Sequence, residues 1–143
     1  MSSPTRGRSP ELPSRMNSKT DGRIVVNRME GVLVATIQVT MTSATIRQLR
    51  EDVLNFLAGE SSPSLLLDLS GISLMDLEEF DSLRRLAHSV ALMGTATWFV
   101  GLRPEVVATL VTLGAETGGL RTALDLDAAL HSIRREREGV TNG

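Results

Sequence analysis

The residues best suited to chemistry are the acids in and near "SLMDLEEFDSL", residues 73–83. Asp68, Asp76 and Asp81 could be imagined as an acidic cluster of the kind that supports general acid–base catalysis. However, Asp68 falls in a predicted strand and Asp81 in a predicted helix, while Asp76 stands where that helix begins. Capping of the helix therefore explains Asp76 more simply than catalysis does.

Other catalytic and metal-binding patterns are missing from the sequence. His88 and His131 both fall in predicted helices, without a second ligand at metal spacing. Each of "LSGISL" and "FVGLRPE" offers one glycine only, so no phosphate-binding glycine loop follows a strand. The chain has no cysteine, which excludes disulfides, thiolate metal sites and cysteine nucleophiles. We predict no enzyme activity, metal or cofactor, and a protein that acts by binding.

Alternating strands and helices must position these side chains. Two β-branched runs, "RIVVNRM" and "GVLVATIQV", flank the turn signal Glu30-Gly31 and predict a hairpin. Helical and extended segments then alternate: "TSATIRQLREDVLNFLAG", "SLLLDLS", a helix from about Leu77 to Met93, "TATWFVG", "RPEVVATLVTLG", "LRTAL" and "DLDAALHSIRRERE". This order predicts a single α/β domain with a parallel or mixed sheet.

The starts of the first two helices carry capping signals. Thr42 or Ser43 is available to cap the first helix. In the second, Asp76 is the predicted cap and Glu79, three residues later, completes a capping box. Leu77 then occupies the first turn, and this local role is compatible with any function of the segment.

Length and composition indicate one domain with a tail. The 143 residues are 41% hydrophobic, with a formal net charge of -2, three Phe, one Trp and no Tyr, which argues against nucleic-acid binding. Residues 1–22 are rich in Ser, Pro and Arg and are predicted to be disordered. We expect the domain over 23–137 and a flexible C-terminus over 138–143. No apolar run suggests a membrane span or a signal peptide, so we expect a cytoplasmic protein without membrane contact.

The chain resembles a known family in three stretches: "LDLSGISLMD" before a helix, "LMGTATWFVGLRPEVVATLVTLG", and "LRTALDLDAAL". These are similar to the STAS domain of the anti-sigma-factor antagonists, most of all to the stressosome scaffold proteins, over roughly 23–137. The resemblance implies a sheet of four or five strands with about four helices packed on one side. It also implies no catalysis, and partners that are other STAS proteins, such as sensor co-antagonists, and a serine kinase of the anti-sigma type.

One position departs from the family pattern. Where the family has a Ser or Thr that a partner kinase phosphorylates, this chain has Leu77, which has no hydroxyl. Phosphorylation would have added about -1.5 to -2 charges at a partner surface. Leu77 could hold the protein in the unmodified, partner-competent state and enlarge an apolar contact. Alternatively, Glu78 and Glu79 could supply a standing negative charge that partly imitates phosphate; we favour the first hypothesis.

We therefore predict a scaffold or antagonist of a stress-response pathway that acts by protein–protein binding and forms homo- or hetero-oligomers. The predicted partner interface comprises Ser73, Asp76, Leu77, Glu78 and Asp81. The resemblance also makes Ser43 a candidate displaced phosphoacceptor, with helix capping as the alternative. Two other functions stay open: a stand-alone antagonist that sequesters one anti-sigma factor or kinase, and a STAS module that binds a nucleotide or another small ligand.

Overall fold

A computed structural model describes residues 24–142, with side chains described as far as residue 139. The predicted disordered tail, residues 1–22, lies outside this range. The described chain forms five strands, β1 (Ile24–Met29), β2 (Val32–Ile37), β3 (Ser64–Asp68), β4 (Ala96–Val100) and β5 (Arg121–Ala123). Its four helices are α1 (Ser43–Gly59), α2 (Leu77–Ala91), α3 (Pro104–Thr112) and α4 (Leu126–Asn142).

The strands form one sheet in the order β1-β2-β3-β4-β5. β1 runs antiparallel to β2, and the other neighbouring strands are parallel. Glu30 and Gly31 have φ values of 55° and 80°. Two successive positive φ angles define the type I′ turn that suits the twist of a hairpin. The predicted hairpin and the mixed sheet with four helices are thus confirmed.

One face of the sheet carries the larger core, which α1, α2 and α3 cover. Leu33, Leu67 and Phe99 belong to this cluster of buried side chains. Phe80 of α2 meets Phe99 edge to face, with ring centroids 5.8 Å apart. The contact fixes α2, and with it the start of that helix, against the centre of the sheet.

The last helix covers the opposite face, so the expectation of helices on one side is wrong for α4. Leu130 and Ile133 pack there with Leu66, Trp98 and other side chains of the second cluster. The reason is visible in the apolar run of β3, whose successive buried residues point to both faces and require cover on both. The guanidinium of Arg121 lies 5.5 Å from the centre of the Trp98 ring.

Several boundaries differ from the sequence-based expectation. Helix α2 ends at Ala91 rather than Met93, and α4 runs on to Asn142, beyond residue 137 where the predicted domain ended. The Thr42 hydroxyl accepts a hydrogen bond from the Thr45 amide at 3.1 Å, so Thr42 is the cap of α1. Within residues 24–142, no helix has both the length and the apolar character needed to cross a bilayer.

Candidate protein-docking site

The loop between β3 and α2 is held by its own apolar side chains. Leu69, Ile72 and Met75 are each no more than 2% exposed, and they tie the loop to the core. Leu74, between two of these anchors, is 73% exposed. The loop therefore presents one leucine outward at the carboxyl end of the parallel strands, where α/β proteins commonly bind their ligands.

Hydrogen bonds to Ser70 also hold the same loop in place. The Asp68 carboxylate accepts hydrogen bonds from the Ser70 amide at 3.1 Å and the Ser70 hydroxyl at 2.7 Å. Arg103 Nε, just before α3, donates to the Ser70 carbonyl at 3.1 Å. Gly101 has φ +76°, and a Cβ there would lie 2.9 Å from the Ser70 Cβ. The close packing of these two backbones depends on glycine.

A complete capping box begins α2, as predicted. The Glu79 amide donates to Asp76 Oδ1 at 2.7 Å, and the Asp76 amide donates to Glu79 Oε1 at 3.0 Å. Leu77 is the first helical residue and is 38% exposed. Its apolar side chain thus lies at the start of the helix, three residues after the exposed Leu74 and next to a cap residue whose amide and carboxylate are both hydrogen-bonded.

The other residues of the predicted interface differ in availability. Ser73 and Glu78 are exposed. Asp81 is partly buried and accepts from Arg84 at 3.1 Å and from Arg85 at 3.0 Å, so two ion pairs neutralise its charge. Both arginines lie at helical i+3 and i+4 spacing, a signal that the sequence contained. Asp81 therefore supports the local helix surface more than it offers a free carboxylate to a partner.

A groove of about 550 Å³ lies between the starts of α1 and α2. Ser43 lines it from α1, which places this candidate phosphoacceptor on the same groove as the α2 entrance. Arg47 and Arg50 also line it from α1, and sequence reasoning missed both. Their i, i+3 spacing on the polar side of α1 was the available signal.

The two walls of the groove differ in charge. Arg47 and Arg50 lie on the α1 wall. The α2 wall contributes three acids and one arginine that is paired with Asp81: Asp76, Glu78, Glu79 and Arg85. No ion pair joins the two walls among the residues that the structure describes. A charged partner surface could therefore engage either wall without first breaking a bridge across the groove.

A second groove of about 600 Å³ lies between the β3–α2 loop and the segment that follows β2. Ser73 and Leu74 line it, together with Gln38, Val39 and Thr40 after β2. The β3–α2 loop thus lines this second groove, and the start of α2 lines the first. Nowhere in the described range do three or more His, Cys, Asp or Glu side chains gather in a way that could hold a metal ion. The arrangement suits recognition of a protein surface.

Known proteins resemble this chain in sequence and in fold. The sequence model of the STAS domain matches residues 23–129. The RsbT co-antagonist protein RsbRA of Bacillus subtilis (strain 168) is 24% identical over 107 residues, which cover 68% of this chain and 39% of the relative. This chain thus spans about two fifths of the length of that relative.

Solved structures share the fold. A single-substitution variant of RsbS from Moorella thermoacetica superimposes with a TM-score of 0.70 at 22% identity, covering 81% of this chain and 98% of that one. A chain in a structure of the stressosome, described as a signal integration and transduction hub, superimposes with a TM-score of 0.64 at 21% identity. The match covers 79% of this chain and 98% of that one. At this level of identity the likeness establishes the architecture alone.

Proposed function

This chain belongs to the STAS domain family, and from that premise we propose that it is a non-catalytic regulator that docks partner proteins at the start of α2. We define the α2 surface as the predicted interface residues Ser73, Asp76, Leu77, Glu78 and Asp81. The proposed pathway is a cytoplasmic stress response, in which the chain acts as a stressosome-type scaffold or an anti-sigma-factor antagonist. Its proposed partners are sensor co-antagonists with STAS domains and a serine kinase of the anti-sigma type.

The position of Leu77 carries the proposal. Leu77 follows the cap residue of a helix that is firmly packed, at a partly exposed site. A side chain without a hydroxyl cannot accept a phosphoryl group, so a kinase that docks here finds no acceptor at this position. With Leu74 it instead offers apolar area to a partner, and burial of apolar area stabilises a complex.

The capping box favours the fixed, unmodified state over imitation of phosphate. Glu79 Oε1 is engaged by the Asp76 amide, so its charge is directed to the helix end rather than outward. Glu78 alone then remains as an exposed first-turn acid near Leu77. One carboxylate carries less charge than a phosphate and has fewer acceptor oxygens.

Ser43 is the second candidate for regulation of this surface. Because Thr42 supplies the cap of α1, the Ser43 hydroxyl is not required for capping and is exposed on the groove. Arg47 lies one turn further along the same helix, and a phosphate near an arginine and a helix start is stabilised. Phosphorylation there would change the charge of the groove that adjoins the α2 surface.

Phosphate mapping tests the proposal. The natural chain, Leu77→Ser and Leu74→Ser are each incubated with ATP and a serine kinase of the anti-sigma type, and the products are mapped by mass spectrometry. We expect no phosphate within residues 73–83 of the natural chain and phosphate on residue 77 of Leu77→Ser. Leu74→Ser is the matched control, since its new hydroxyl lies in the more exposed loop but outside the family position.

The outcomes separate the parts of the proposal. Phosphate on Ser73 or Ser82 of the natural chain would overturn the fixed state, and equal labelling of Leu74→Ser and Leu77→Ser would show that the α2 surface does not direct the kinase. Phosphate on Ser43 would support a displaced switch. Light scattering after size-exclusion chromatography tests assembly. A monomer in every mixture with STAS partners would overturn the proposed scaffold function.

A further inference from the structure

Strand β1 is an open edge of the sheet. It pairs with β2 on one side, and no other strand of the described range lies on its other side. The two-residue turn makes Met29 and Val32 the closing pair. In such a hairpin the closing pair exchanges both backbone hydrogen bonds, and bonded residues then alternate along the strand. The peptide groups of Ile24, Val26 and Arg28 therefore point to the open edge.

The side chains on one face of β1 are also uncovered. Val25 and Met29 are 37% and 39% exposed, and Asn27 between them is exposed. These three share the face that α4 protects elsewhere, because they pair in register with Thr36, Val34 and Val32 of β2. Helix α4 lies over β3, β4 and β5. A strip with two apolar side chains and one amide is left beside the open backbone.

We propose that β1 pairs antiparallel with β1 of a second copy of this chain, so that two sheets join into one. In the proposed register the two Asn27 residues face each other on the two-fold axis. Val25 then lies opposite Met29 of the second copy, and Val26 lies opposite Arg28 of the second copy. This rests on the proposed stressosome-type scaffold, for which it specifies a contact between copies of this chain, and it does not involve the α2 surface.

A second copy fits this edge because the pairing is self-complementary. A two-fold contact requires that residues facing each other lie on the same face of the joined sheet. The register meets this condition and places the outward peptide groups of Val26 and Arg28 opposite each other as hydrogen-bonding partners. The half-exposed Val25 and Met29 then cover one another, which removes apolar area from water.

Charge does not oppose the contact. Arg28 is the one charged residue of β1, and it does not face its own copy in this register. Its guanidinium lies 3.5 Å from the Glu60 carboxylate and donates to the Glu60 carbonyl at 2.6 Å. The strand also lacks the lysine and proline that commonly protect edges. A six-residue strand is about 20 Å long, so the contact is smaller than a standard interface and we expect it to depend on protein concentration.

Disulfide trapping tests the register directly, because the chain has no cysteine of its own. In the proposed pairing the two Asn27 Cα atoms form a non-hydrogen-bonded pair about 4.5 Å apart, within the range of about 4.4–6.8 Å that a disulfide bridges. We expect Asn27→Cys to form a covalent dimer under mild oxidation, with a yield that rises with concentration. Non-reducing electrophoresis measures it, and circular dichroism confirms that the variant is folded.

Two variants serve as controls. Val25→Cys lies on the same strand and face, but the two copies would be roughly 13 Å apart along the strands, too far for a disulfide. Ser89→Cys is an exposed site on α2. Several-fold more dimer from Asn27→Cys than from either control would support the proposal. Equal yields, or most dimer from Val25→Cys, would overturn it.

A non-covalent measurement completes the test. Val25→Lys/Met29→Lys places like charges along the uncovered strip, and we expect it to remain monomeric at concentrations where the natural chain shows a rising mass by light scattering. A natural chain that stays monomeric at all concentrations, or a dimer that persists in the double variant, would overturn β1 pairing. Neither result changes the phosphate-mapping outcome, so failure here is distinguishable from failure of docking at the α2 surface.

Discussion

Replacing Asp76 with alanine should destabilise the protein by an amount that the capping box allows us to work out. The variant loses the 2.7 Å acceptor for the Glu79 amide, and loss of an N-cap side chain costs about 1 kcal/mol. It also loses a negative charge at the positive end of α2, which contributes about 0.5 kcal/mol at an exposed site. Asp76 is exposed, so its removal leaves no cavity. The expected total is therefore about 1.5 kcal/mol.

Urea unfolding followed by circular dichroism measures this change. With a denaturant slope of about 1–3 kcal/mol per molar for a small protein, the unfolding midpoint should fall by about 0.5–1.5 M. The slope itself should not change, because the same surface is exposed on unfolding. Asp76→Asn is the matched control: it keeps a side-chain oxygen for the amide and loses only the charge, so it should lose about 0.5 kcal/mol.

The two variants also define the result that would refute the reasoning. An Asp76→Ala midpoint equal to that of the natural chain would mean that the capping box does not stabilise α2. Equal losses in Asp76→Ala and Asp76→Asn would mean that charge alone, and not the hydrogen bond, accounts for the effect. Either result would remove the basis for treating the start of α2 as a fixed platform for Leu77.

Two further predictions concern the packing beneath the candidate site. Gly101→Ala should lower the free energy of unfolding by about 2 kcal/mol or more, since both the positive φ and the 2.9 Å approach oppose a Cβ. Gly114→Ala, at φ +89° with no atom within 4 Å, is the control and should lower it by about 1 kcal/mol. A thermal melt that ranks the two variants in the opposite order would contradict this. Phe80→Ala should cost about 3–5 kcal/mol through the loss of its core contacts, measured by urea unfolding, and a loss below about 1 kcal/mol would contradict its role in holding α2.

Local spacing made the start of α2 predictable. Asp76 and Glu79 are three residues apart, and a capping box needs no information from the rest of the chain. The Glu30-Gly31 turn was predictable for the same reason. The alternation of strands and helices likewise predicted the mixed sheet, because the spacing of apolar residues in each segment is set by the geometry of that strand or helix.

Contacts between distant segments were not predictable in this way. An apolar stripe shows that α4 packs on something, but it does not show which face of the sheet it covers. Arg47 and Arg50 line a groove with Asp76 only because α1 and α2 pack side by side. The arginine partners of Asp81 are a different case, since their spacing was local and could have been used.

The position of Trp98 gives the molecule a built-in optical probe. It is the single tryptophan of a chain without tyrosine, so the indole fluorescence of the protein comes from one ring. Trp98 is 6% exposed in the cluster that α4 covers, and the guanidinium of Arg121 lies over its ring. Movement of α4 away from the sheet would let water reach the indole and shift its emission to longer wavelength. The natural sequence thus reports on its second face without any label, while events at the α2 surface occur on the other side of the sheet.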